Sequence, residues 1–201
     1  LDISGIVLAG GKGVRLSKNK ALETINRRTL LEQVIARLGL LDSIPIVVVS
    51  GHTYPKLAGY PGLRMTRDIY PGKGPLGGIY SGLKISDSFY NLVVACDMPF
   101  LNRDLLSYML DAAIGFDLVV PCLNNMIEPL HAVYTKECLD KIEQLLEKDN
   151  LSVRDLFPLL KVRYIDKDEI ERFDPDHLSF FNVNTRADLI MARRLIKRFG
   201  V

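Results

Sequence analysis

The run Leu92-Val93-Val94-Ala95-Cys96, apolar without alternation and closed by Asp97, constrains this chain more than any other stretch. A strand with one wet face alternates in polarity, whereas a continuous apolar run of this length belongs to a strand covered on both faces. It is far too short to span a bilayer. Ile3 to Leu8 and Ile44 to Val49 also read as strands, and Leu63 to Arg67 is a further one. Amphipathic stretches lie between them. Thr29 to Leu38 carries Leu30, Leu31, Val34, Ile35 and Leu38 at helical spacing, and Asn102 to Ala113 is a second helix. Pro75 to Lys84 is a third, opened by a proline where a missing N–H costs little. Strands separated by helices predict an α/β protein: a Rossmann-like, doubly wound, mainly parallel sheet with helices on both faces.

Further along, Leu118 to Val120, Leu130 to Tyr134, Val162 to Ile165 and Phe180 to Val183 read as strands, and Leu139 to Leu146 as a helix. Ser152-x-x-Asp155 and Thr185-x-x-Asp188 have the spacing of helix starts, the latter fitting a capping box. Arg193, Arg194, Lys197 and Arg198 suit the negative end of that final helix's dipole. No linker, repeat or low-complexity tract divides the chain, so residues 1–201 are expected to form one domain whose C-terminal half serves a second ligand.

Composition excludes several classes. With 48% hydrophobic and 25% charged residues the chain is neither disordered nor fibrous. Its 26 basic and 24 acidic side chains form no long basic block, so nucleic acid is not an expected partner, and neither is a membrane. Cys96, Cys122 and Cys138 are odd in number and widely spaced, which favours reduced thiols. Leu1-Asp2-Ile3-Ser4 lacks the features of an export signal, and a cytoplasmic location is expected.

Chemistry concentrates at strand ends. Leu8-Ala9-Gly10-Gly11-Lys12-Gly13-Val14-Arg15 follows the first strand, where open α/β sheets place ligand loops and where glycines let backbone N–H groups approach phosphate oxygens. A plain tight turn is the bland alternative. The segment contains no GxxxxGK[ST], and Leu16 stands where GxGxxG needs its third glycine. The second strand ends Val49-Ser50-Gly51, without the acidic residue of a dinucleotide site, so hydride transfer is not indicated.

Arg15 and Lys20, just past the loop, are two cations able to stabilise charge developing on a leaving pyrophosphate. Asp97, at the end of the buried strand, is placed to hold Mg²⁺ bridging phosphates; the alternative is a turn cap before Pro99. Cys96 beside it reads as a small buried residue rather than a nucleophile. Asp68 precedes the stretch Ile69-Tyr70-Pro71-Gly72-Lys73-Gly74-Pro75-Leu76-Gly77-Gly78-Ile79, and is a nucleotide contact or a turn residue accepting backbone bonds. His52, His131 and His177 lack metal-ligand spacing and are expected to be structural or surface residues.

Together these motifs resemble a known family. Leu8-Ala9-Gly10-Gly11 with Arg15 and Lys20 resembles the LAGG-x-x-x-R-(M)-(G)-x-x-K signature of nucleotidyltransferases. Gly74-Pro75-Leu76-Gly77-Gly78-Ile79, Cys96-Asp97-Met98-Pro99-Phe100, Pro129-Leu130-His131-Ala132-Val133-Tyr134 and Phe181-Asn182-Val183-Asn184-Thr185 are similar, in order, to segments of the molybdenum cofactor guanylyltransferase family. The resemblance implies Mg²⁺-dependent transfer of GMP from GTP to molybdopterin carrying molybdenum, with other molybdenum cofactor proteins as partners. By position it implies that Leu8, Ala9 and Gly10 contact the nucleotide and that Gly11 supports its phosphates. It further implies that Lys20 and Asp68 bind GTP, that Asp97 binds Mg²⁺ and GTP, and that Asn182 and Asn184 belong to the pterin side.

Leu16 and Ser17 replace the usual Met-Gly, and Asn19 replaces a common Asp. Leucine keeps volume and polarity. Ser17 bears on the loop's path, because glycine reaches positive φ. Asn19 removes a charge that would orient Lys20. A related transferase using CTP or UTP on a pterin or sugar phosphate, and a non-catalytic nucleotide-binding protein, are the rival readings.

Overall fold

Three apolar runs meet side by side at the centre of one sheet. The structure is a computed structural model that describes residues 1–10, 19–41, 44–57 and 59–199. It pairs β1 (Ile3–Leu8) with β4 (Ile46–Val49) on one side and β6 (Tyr90–Ala95) on the other, both parallel. β5 (Leu63–Thr66) continues parallel beyond β4. On the other flank follow β9 (His131–Thr135), β7 (Leu118–Leu123) and β10 (Val162–Ile165), giving the order β5-β4-β1-β6-β9-β7-β10. β9 runs antiparallel to both β6 and β7, so the mainly parallel sheet carries an antiparallel insert.

The chain steps outward from β1 to β4 and β5, then returns to β6 on the opposite side of β1. The carboxyl ends of β1 and β6 therefore flank a topological switch point, the place where open α/β sheets hold ligands. β1 and β6 end level with one another, Leu8 opposite Ala95.

α1 (Leu30–Leu38), α3 (Arg103–Asp111) and α5 (Lys167–Glu171) cover the face that presents Val7, Val48, Val94 and Val133. α2 (Gly74–Ile85) and α4 (Cys138–Glu147) cover Ile6, Val47, Val93 and Ala132 on the other. Consecutive strand residues are thus buried on opposite faces, which is why the sequence shows unbroken apolar runs. α1 begins at a reciprocal capping box: Thr29 Oγ1 accepts the Glu32 N–H at 3.1 Å, and the Glu32 carboxylate accepts the Thr29 N–H at 2.7 Å. α2 lies so close to β1 that a Cβ at Gly82 would sit 2.4 Å from Ile6 Cγ2.

A smaller core has no counterpart in the strand pattern. The hairpin of β2 (Thr24–Ile25) and β3 (Arg28–Thr29) packs with α6 (Arg186–Phe199) through Ile25, Leu30, Phe100, Val183, Leu189, Ala192 and Ile196. The expected strand at Phe180 to Val183 is not formed. A 3₁₀ turn over Leu178–Phe180 leads instead into irregular chain. Apolar character there reflects packing rather than pairing: Val183 is fully buried, and Phe181 lies against Phe100 with ring centroids 5.8 Å apart.

Candidate active site

The switch point is built from three separated pieces of chain. Beyond β1, Ala9 is buried and Gly10 exposed, and the Ala9 N–H donates to the Val49 carbonyl at 2.9 Å, extending the sheet by one bond. Its carbonyl is held from the far side. Ser50 Oγ donates to Ala9 O at 3.0 Å and accepts the His52 N–H at 3.0 Å, while the Tyr54 hydroxyl reaches Ala9 O at 3.4 Å. The same hydroxyl lies 3.3 Å from Asn19 Oδ1, so a neutral amide is what Tyr54 meets at the position where the family pattern has Asp. Tyr54 carried no motif; only its burial at the end of β4 reveals the role.

Asp97 follows β6 directly, because the Cys96 N–H still bonds to Leu8 O at 3.1 Å and holds the chain over the crevice. Among the described residues its carboxylate caps no turn. Oδ2 forms an ion pair with the Lys20 ammonium, with the two side chains only 13% and 19% exposed, so their charges are weakly screened. Lys20 Nζ also donates to Asn184 Oδ1 at 2.8 Å. The Asp97 carbonyl in turn accepts the Val183 N–H at 2.9 Å, which registers the C-terminal strap, residues 178–185, against the Asp97 turn. Lys20, Asp97 and Asn184 are thereby brought together from three distant places in sequence. Among the described residues Lys20 is oriented by these two partners.

The strap is fixed at its other end by α6. Asp188 Oδ2 accepts the N–H groups of Asn184 and Thr185 at 3.0 and 2.7 Å, and the Asp188 N–H donates to Thr185 Oγ1 at 3.2 Å, the capping arrangement expected from the sequence. Desolvation pushes the Asp188 carboxyl up, but those hydrogen bonds outweigh it and hold the group below the usual carboxylate range. Asn182 is part-exposed on the same strap.

Asp68 proves to be an anchor as well as a candidate contact. Oδ1 accepts the Tyr70 N–H at 3.1 Å and the Ser81 hydroxyl at 2.8 Å, and a Cβ at Gly77 would come within 3.3 Å of it and 3.0 Å of Tyr70 O. The glycine therefore lets the Gly-Pro segment close onto Asp68. Oδ2 has no hydrogen-bond partner among the described residues. Gly11 and Arg15, together with Leu16 and Ser17, lie outside the described residues.

Glu128, which no motif singled out, is drawn toward the same crevice. Burial pushes its carboxyl up, the Leu130 backbone opposes this, and the Asp97 charge adds to the rise. Cys96 is buried, and desolvation with the neighbouring Asp97 pushes its thiol up to about 12, against a smaller opposing pull from Lys20; it is no nucleophile. His52 is exposed, His131 is buried, and His177 pairs with Glu171 at 3.0 Å.

Among the described residues no group of three or more His, Cys, Asp or Glu side chains could hold a metal ion. Mg²⁺ keeps several waters and is bound by one or two carboxylates together with substrate phosphates, so it needs no such group. Asp97, at the end of β6, has a carboxylate that could bind one in this way.

A mainly parallel sheet whose switch point carries a Lys–Asp pair defines an open α/β protein with its ligand site at that edge. Comparison with known proteins sharpens this. The family model described as MobA-like NTP transferase domain matches residues 5–162. A probable molybdenum cofactor guanylyltransferase of Pelotomaculum thermopropionicum is 35% identical over 193 residues, covering 96% of this chain and 93% of that protein. One of Methanosarcina mazei is 37% identical, covering 92% and 88%. The crystal structure of molybdopterin-guanine dinucleotide biosynthesis protein A from Archaeoglobus fulgidus superposes with a TM-score of 0.84 at 26% identity, covering 98% and 100%. The chain belongs to the MobA-like NTP transferase family and is a nucleotidyltransferase.

Proposed function

We propose that this chain transfers GMP from GTP to the terminal phosphate of molybdopterin carrying molybdenum, forming the guanine dinucleotide cofactor and pyrophosphate. The observation that carries the reading is the Lys20 ammonium clasped between Asp97 at the end of β6 and Asn184 on the strap, with relatives named for this activity over almost the whole chain. An oxygen of the acceptor phosphate bonds to the α-phosphorus, the bond from that phosphorus to the oxygen bridging the β-phosphate breaks, and the electron pair leaves on pyrophosphate. A terminal phosphate is largely ionised near neutral pH, so the residues need supply little acid–base chemistry. Positioning and charge stabilisation do most of the work.

In this reading Leu8, Ala9 and Gly10 present backbone to the nucleotide, Gly11 supports the phosphates, and Asp68 offers Oδ2. Lys20, with Arg15, stabilises charge on the departing pyrophosphate. Asp97 would hold Mg²⁺, which when bound neutralises phosphate charge. Asn182 and Asn184 belong to the pterin side, Asn184 at its border with the Lys20 ammonium. The whole chain acts as one domain with a nucleotide half and an acceptor half. Cys96, Cys122 and Cys138 are free, which accords with a cytoplasmic setting. No helix among the described residues is long and apolar enough to cross a membrane.

Calorimetric titration of GTP, CTP and UTP, with and without Mg²⁺, tests the reading. GTP should be preferred by up to about 10⁴-fold, as for a site built to hydrogen-bond one base. Asp97→Ala should keep its fold and lose Mg²⁺-dependent turnover. Preference for CTP or UTP would reassign the substrate. Binding without pyrophosphate release in the presence of acceptor would make the chain a binding protein.

A further inference from the structure

We infer that Asn184 serves the nucleotide half of the reaction, as a positioning residue that holds the Lys20 ammonium toward the phosphates without neutralising it. The inference rests on GTP binding at this crevice. An ammonium has three N–H donors. Among the described residues Asp97 takes one and Asn184 Oδ1 a second at 2.8 Å, so a third can meet a phosphate oxygen. The two partners act differently. A carboxylate neutralises the charge that a triphosphate needs, and once Asp97 is drawn to other cations its hold on Lys20 weakens. A neutral amide oxygen keeps the ammonium in place and leaves its charge available.

Asn184 is built to be a fixed point. Its own N–H is bonded to Asp188 Oδ2, its neighbour Val183 is fully buried and donates to the Asp97 carbonyl, and α6 begins two residues further on. Lys20, by contrast, sits on a three-residue 3₁₀ turn whose Asn19 cap makes no side-chain capping bond. The rigid partner therefore locates the less anchored one. Because Asn184 is exposed and the Lys20 ammonium keeps its ion pair with Asp97, removing the amide should leave the fold unchanged.

The test is a double-mutant cycle read by GTP titration in the absence of any pterin. Asn184→Ala should weaken GTP binding about tenfold, the lower end of what a hydrogen bond to a charged group contributes. Asn184→Asp should weaken it further despite its matching shape, because a second carboxylate would neutralise Lys20. In a Lys20→Ala background, Asn184→Ala should have no added effect, and melting temperatures should match within each pair. Unchanged GTP affinity in Asn184→Ala would overturn the inference and leave Asn184 as a pterin contact alone. Full additivity with Lys20→Ala would overturn it in favour of direct contact between Asn184 and nucleotide. Absence of GTP binding by the wild-type chain would overturn the nucleotide reading itself, a result distinct from either.

Discussion

Mild acid should destabilise this protein through His131. The ring is completely buried and stacked on Phe180 of the strap, with centroids 4.9 Å apart and planes inclined by 22°. Neither ring nitrogen has a hydrogen-bond partner among the described residues. Desolvation pulls the pKa from 6.5 down to about 4, the nearby Ser179 backbone offsetting part of the fall. Between those values the unfolded chain protonates its histidine while the folded protein keeps the ring neutral. The unfolded state then binds more protons, so stability is full above pH 6.5 and falls as the pH drops toward 4. The loss from this one side chain is about 2 kcal/mol at pH 5 and about 3 kcal/mol at pH 4. Urea unfolding of the wild type and of His131→Leu at pH 7 and pH 5 isolates it, since all other titrating groups are common to both. The wild type should lose about 2 kcal/mol more than the variant over that interval. Equal losses would refute the argument that burial without a partner keeps this ring neutral.

Two substitutions probe the supports of the crevice. Gly82→Ala would place a methyl 2.4 Å from Ile6 Cγ2, inside the core beneath β1. It should cost about 1–3 kcal/mol in urea unfolding, and an unchanged midpoint would mean that α2 can lift off the strand freely. Asp68→Ala should lower the melting temperature by releasing the Tyr70 N–H and the Ser81 hydroxyl, whereas Asp68→Asn keeps an acceptor for both. If Asp68→Asn restores stability yet still binds GTP poorly, the carboxylate touches the nucleotide. Recovery of both would reduce Asp68 to an anchor.

Periodicity and local chemistry account for the elements that the sequence reveals by itself. The unbroken run at Leu92 to Cys96 demands two covered faces, so helices on both sides of a mainly parallel sheet follow from it. Thr29 and Thr185 announce helix starts because a capping box is local, closed within four residues. Asp97 was legible for the same reason: a charge terminating a buried strand must emerge at the sheet's carboxyl edge. The short hairpins were less visible. Asn26 and Arg27 both take positive φ, at 48° and 69°, as do Asn124 and Asn125, at 51° and 62°, the paired left-handed conformation of tight two-residue turns. Asparagine was the signal, but strands of two residues carry no periodicity to accompany it.

What only the tertiary structure decided is who meets whom. Phe180 to Val183 looks extended and apolar in sequence, yet it packs against Phe100 and the hairpin instead of joining the sheet, because burial alone does not specify a pairing partner. The antiparallel course of β9 depends on the turn that carries the chain back from β8 (Met126–Ile127) and on the gap that β6 and β7 leave between them. The isolation of His131, the pinning of Ala9 by Ser50 and Tyr54, and the meeting of Lys20, Asp97 and Asn184 all join residues far apart in sequence. Spacing along a chain encodes what repeats within one turn or one strand. Contacts between elements are fixed only when helices dock on the sheet and the chain's distant ends are carried to the same edge.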